Sequence, residues 1–90
     1  MTGGWGLSVD SAAERTLRQI PNRYAVAIVE RITGPLLDSP RRIGAPLERE
    51  LSGYLSLRVG PYRVVYRVLD AERLVRVVRI EHRSDVYRPR

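Results

Sequence analysis

The sequence predicts an α+β fold: an antiparallel sheet, made of an N-terminal strand and a C-terminal three-strand meander, with an α-hairpin packed on one face. Three observations carry this. Apolar residues recur at helical spacing through 11–36, and the period changes to two from residue 54 onward. Two turn sequences, Gly60-Pro61 and Asp70-Ala71-Glu72-Arg73, part three runs rich in Val, Leu, Tyr and Ile. The chain has 90 residues and no linker-like tract, which suits one small domain, 1–90, with a modest core.

In order, residues 5–9 carry Trp, Leu and Val at alternate positions and read as the first strand. Ser11 and Glu14 have the spacing of a capping box, in which each side chain satisfies an orphan amide of the first turn. Ala13, Leu17 and Ile20 form the apolar face of that helix, and Pro21 ends it. Asn22 is suited to cap a second helix with the stripe Ala25, Ile28, Val29, Ile32 and Leu36, leaving Glu30 and Arg31 outside. Gly34-Pro35 kinks or breaks it, because Pro35 lacks an amide donor and crowds the preceding turn. Residues 38–54 hold two Pro and two Gly and read as an irregular connection. The meander strands follow at 54–59, 62–69 and 74–81, then a short basic tail.

Alternation assigns the faces of these strands. In 62–69, Tyr62, Val64, Tyr66 and Val68 point one way and Arg63, Val65, Arg67 and Leu69 the other. In 74–81, Val75, Val77, Arg79 and Glu81 share one face, with Leu74, Arg76, Val78 and Ile80 opposite. Arg67, Arg73, Arg76 and Arg79 then either snorkel outward over their stems or line a face that neutralises phosphates.

Charge narrows the partners. There are 16 Arg, no Lys and 10 acids, for a formal net charge of +6. Residues 54–90 hold nine of the Arg and four of the acids, so the field lies in the second half. Nucleic acid, an acidic protein, or both in turn fit such a surface. Cys is absent and His82 is the lone histidine, which excludes thiol chemistry and sites needing two His ligands. No cofactor is implied: without Lys there is no Walker-type phosphate loop, and the acids Glu48, Glu50, Asp70, Glu72, Glu81 and Asp85 are too scattered to suggest a metal site. No run is long enough to span a membrane, and the first residues lack the form of a secretory signal, so a cytoplasmic location is expected.

The inventory that remains suits metal-free RNA cleavage. RNA carries its own nucleophile, the 2′-OH. A protein needs to remove its proton, stabilise charge on the phosphate and protonate the leaving 5′-oxygen. Arg, His and Tyr cover these tasks. His82 ends a strand beside Arg83, either as a structural group or as a proton carrier. Tyr87 either anchors the tail or acts as a base or a stacking platform.

Two motifs sharpen the reading. Arg58-Val59-Gly60-Pro61-Tyr62-Arg63-Val64-Val65-Tyr66 followed by Ile80-Glu81-His82-Arg83-Ser84-Asp85-Val86-Tyr87 resembles the RelE branch of the RelE/ParE toxin superfamily. Pro46-Leu47 and Leu51-Ser52-Gly53 match the stretch before the meander. The resemblance implies a RelE-like fold and a toxin of a type II toxin–antitoxin system. It implies ribosome-dependent, metal-free cleavage of mRNA, inhibition of translation, and neutralisation by a cognate acidic antitoxin. It also implies binding to operator DNA only as the toxin–antitoxin complex. By position, Arg63 matches the Arg that contacts the reacting phosphate, Arg83 the Arg of charge stabilisation or acid work, and Tyr87 the C-terminal Tyr. His82 matches a His that sibling toxins use as general acid. Tyr54 and Ser56 stand where some members carry two Lys, and Arg58 supplies part of that charge. Tyr54, Arg58, Arg67, Arg41 and Arg42 are the expected RNA-binding residues. The alternatives are a ParE-like, non-catalytic inhibitor of DNA gyrase and a basic nucleic-acid-binding subunit.

Overall fold

The computed structural model describes residues 4–86. The elements are β1 (Gly6–Val9), α1 (Ser11–Gln19), α2 (Asn22–Thr33), α3 (Pro35–Asp38), α4 (Pro40–Ile43) and β2 (Ala45–Pro46). A 3₁₀ turn (Arg49–Leu51) leads to β3 (Leu55–Val59), β4 (Tyr62–Leu69), β5 (Leu74–His82) and α5 (Arg83–Val86). The strands form one sheet in the order β1-β5-β4-β3-β2. The α+β class and the meander are as the sequence predicts.

One pairing departs from the antiparallel expectation. β1 runs parallel to β5, with Gly6 opposite Leu74 and Val9 opposite Val77. The helices and the rest of the meander lie between these strands in sequence, and so long a crossover permits parallel pairing where a hairpin forbids it.

The helix starts also differ. Asp10, not Ser11, is the N-cap of α1, so Ser11 is already helical and the capping box does not form. Glu14 instead approaches Arg18, 3.7 Å away and one turn on. Asn22 is likewise the first residue of α2 and Pro21 precedes it as the cap. Gly34-Pro35 does break the helix: α2 ends at Thr33 and Pro35 opens α3, where its missing N–H costs nothing. The connection 38–54 is more ordered than its composition suggests. Pro40 opens α4, and Ala45–Pro46 pairs with Leu55 and Ser56 as an edge strand, a position that tolerates proline.

The core lies between the helices and one face of the sheet. Ala13, Ile28, Ile32 and Leu36 meet Leu57, Val64, Tyr66, Val75, Val77 and Ile80. Tyr66 is fully buried, and its hydroxyl donates to the Pro40 carbonyl at 2.5 Å. Burial pushes its phenol up to about 12, so it stays protonated as a donor. Gly44 abuts that hydroxyl so closely that an added Cβ would collide with it. This glycine is required by the approach of a side chain, not by its own backbone angles.

A β-bulge interrupts β4 and β5. Val65 pairs with Arg79 while Tyr66 pairs with Val77, so Val78 is extra. Alternation therefore inverts along β5: Val75, Val77 and Ile80 are buried, and Arg76, Arg79 and Glu81 turn the other way. This corrects the uniform alternation expected for 74–81. The faces expected for β4 stand.

Candidate anion-binding face

Residues opposite one another in a sheet project to the same side. On the face away from the helices, the register aligns Arg58 of β3 with Arg63 of β4, and Arg63 with Glu81 of β5. Ser56, Val65 and Arg79 form the next row, and Arg67 and Arg76 the row after that.

The first two rows hold a connected charge cluster. Arg63 donates to Glu81 Oε1 through Nη2 at 2.8 Å and Nε at 3.2 Å. Arg79 Nε reaches Glu81 Oε2 at 2.8 Å. One carboxylate thus stands between two guanidiniums, and it is the most enclosed of the three, with its side chain 18% exposed. Arg58 is exposed and faces Arg63 across the strands, a like-charge pair that costs stability. Arg83 begins α5 at the same end of the sheet, where its backbone N–H donates to the Pro61 carbonyl at 2.8 Å. The β3–β4 turn that supplies this carbonyl is tight because Gly60 adopts φ +58°. Arg63 and Arg79 therefore hold Glu81 between them, with Arg58 in the same row and Arg83 at the same end of the sheet, an excess of positive charge suited to an anion.

The other expected residues divide. Arg67 lies on the same face, its guanidinium 5.4 Å from the Tyr54 ring centroid. Arg76 is bound to Asp10, with Nε to Oδ1 at 2.8 Å. Arg73 lies at the β4–β5 turn, over the Trp5 ring at 4.7 Å. Arg41 grips Asp70 through two bonds of 2.8 and 2.7 Å, pinning α4 to the same turn. That is roughly 20 Å along β4 from Arg63. The Arg41 guanidinium holds the Asp70 carboxyl below its ordinary value. Arg42 is exposed on α4, beside Arg41 and remote from the cluster.

His82 is not brought to Arg63. It sits opposite Tyr62, on the helix side, with the two rings edge to face at 5.2 Å. Its Nδ1 lies 2.8 Å from Ser84 Oγ and accepts the Ser84 backbone N–H at 3.1 Å. In the neutral ring this leaves the proton on Nε2. Tyr87 lies outside the described residues.

Residues 7–87 match the family model described as the ParE toxin of the type II toxin–antitoxin system parDE. The chain belongs to this toxin family. Within it, the toxin is 44% identical over 78 residues to Toxin RelG of Mycobacterium tuberculosis, covering 87% of this chain and 90% of that protein. It is 42% identical over 82 residues to Toxin RelE of the same organism, covering 91% of this chain and 84% of the relative. The toxin also resembles the crystal structure of the RelBE2 toxin–antitoxin complex from M. tuberculosis. There the TM-score is 0.83 and the identity 38%, over 88% of this chain and 98% of that one. These relatives set the toxin on the RelE branch, with the RelE-like fold.

Glu81 is the member of the toxin's charge cluster that sequence reasoning missed, because the bulge hid its partner. A usable signal was present. Val77 and Val78 stand side by side in a stretch, 75–81, that otherwise alternates apolar with charged residues, and that doubled apolar residue marks the inversion.

Proposed function

We propose that this toxin is a ribosome-dependent endoribonuclease that cuts mRNA without a metal and so stops translation. The observation that carries the reading is the cluster of Arg58, Arg63, Arg79 and Glu81 on the sheet face away from the helices. RNA cleavage by this route removes the 2′-OH proton, forms the 2′-oxygen–phosphorus bond and breaks the bond to the 5′-oxygen. The 5′-oxygen leaves with a proton, and a 2′,3′-cyclic phosphate remains. Negative charge peaks on the phosphate between these steps, and Arg63, with its neighbours and Arg83, is assigned to stabilise it. Tyr87 is assigned to proton transfer or base stacking. His82 is assigned a structural role, since its ring is engaged by Tyr62 and Ser84 on the helix side.

Toe-printing on translating ribosomes tests this. Wild type is expected to truncate mRNA only when ribosomes are present, and Arg63→Ala is expected to lose about 10²-fold or more in rate. Intact mRNA together with blocked DNA supercoiling by gyrase would hand the protein to the ParE-like reading.

A cognate acidic antitoxin is the proposed partner, in the cytoplasm, with operator DNA bound only by the complex. A basic face of this kind accepts an acidic segment that folds on binding. Hydrogen exchange is expected to reveal new amide protection on β3 and β5 around Arg58 and Glu81. Protection confined to α1 and α2 would move the antitoxin off this face.

A further inference from the structure

Beside the charge cluster lies a recess of about 230 Å³ lined by Glu50, Leu51, Tyr54, Val65, Val78 and Arg79. Resting on the RNA reading above, we propose that this recess is a subsite for one unstacked nucleobase, held on apolar walls and read on its polar edge by Arg79 and Glu50. It is smaller than the roughly 300–1,000 Å³ of sites for drug-sized ligands, which matches a single base.

The chemistry of the lining fits a flat, apolar disc with a polar rim. Val65 is fully buried although it projects away from the helices, and with Leu51, Tyr54 and Val78 around the same recess it gives an apolar floor. Val78, the extra residue of the bulge, widens that floor. The Tyr54 ring offers a stacking wall, and the Arg67 guanidinium beside it adds positive charge at the wall. At the rim, Arg79 supplies donors and the exposed Glu50 supplies acceptors.

Arg79 joins the two sites. Its Nε is occupied by Glu81, the carboxylate that also holds Arg63, and its terminal nitrogens remain for the recess. Arg63 and Val65 are two residues apart on one face of β4, about 7 Å. That separation is comparable with the reach from a backbone phosphate across its ribose to its base. A phosphate at Arg63 therefore leaves the attached base over the recess. The bulge builds this arrangement, since a regular strand would set Val78 opposite Val65 and turn Arg79 to the core side.

The test uses amide NMR of the full-length toxin with two kinds of probe, inorganic phosphate and the four ribonucleoside monophosphates. Phosphate is expected to shift the amides of Arg58, Arg63 and Glu81. The nucleotides are expected to shift these and also Leu51, Tyr54, Val78 and Arg79, with the best base bound about fivefold or more tighter than the worst. Glu50→Gln, on an exposed turn, is expected to narrow that spread, and Val78→Phe to abolish the recess shifts by filling the floor. Nucleotides that shift only the residues phosphate shifts would overturn the base subsite and leave the anion site standing. Phosphate that shifts none of Arg58, Arg63 and Glu81 would overturn the function reading and this proposal with it.

Discussion

On the helix side, β4 and β5 present Val64, Tyr66, Val75 and Val77, each 0% exposed. On the other side, the same two strands present Arg63, Arg67, Arg76 and Arg79, with only Glu81 among them as an acid. The helix side has its polar needs met in full: among the described residues no buried side-chain polar atom lacks a partner, and the Tyr66 hydroxyl is satisfied by Pro40. The other side sets like charges against each other, with Arg58 opposite Arg63 and Arg67 opposite Arg76. One face is closed by apolar packing. The other carries more positive than negative charge, only part of it offset by Glu81 and Asp10.

Substitutions on the two faces are expected to separate stability from activity. The largest effect belongs to the core. Ile28→Ala is expected to cost about 2–5 kcal/mol in urea unfolding, while the folded fraction keeps its cleavage rate. A loss of rate per folded molecule would mean that the faces are not separable. Arg58→Ala is expected to do the reverse. Its stability should stay within about 0.5 kcal/mol of wild type. The salt dependence of ribosome binding should fall by about one in log–log slope, as one phosphate contact is lost. An unchanged slope would remove Arg58 from the binding face.

The smallest effect tests a pair outside both faces. Arg41 holds the Asp70 carboxyl below its ordinary value, so the pair's stabilisation is present above about pH 4 and is lost as pH falls through the lower, folded value. Both side chains are more than half exposed, so the gain is small. Urea titrations of wild type and Asp70→Asn should differ slightly at pH 7 and converge as the pH falls below about 4. A difference that persists in acid would assign the effect to something other than ionisation.

Much of this division was legible in the sequence, for reasons that differ along the chain. The strand 62–69 was readable to the residue, because both its ends are turns and its alternation is unbroken. Gly34-Pro35 was readable because proline has one local consequence. The capping box was not, because Ser11 and Asp10 compete for one position and Asp10 continues the β1 ladder through its bond to Val77. The parallel partner of β1 depends on the whole crossover and leaves no local trace. Within the site, Arg58 and Arg63 are brought together by a two-residue turn that any reading of Gly60-Pro61 supplies. Arg41 and His82 were singled out from the sequence, but their contacts to Asp70 and to Tyr62 and Ser84 depend on tertiary packing that the sequence does not display.

The extra residue at Val78 makes β5 sensitive to the parity of its length. Between the turn at Arg73 and the end at His82, one residue more or less would rotate the distal half of the strand by half a turn. Ile80 would then meet water and Glu81 would enter the apolar layer, with the neighbouring strands unchanged. In this stretch a single-codon insertion or deletion is thus a more drastic change than most substitutions, and aligned relatives should keep its count of residues more strictly than its identities.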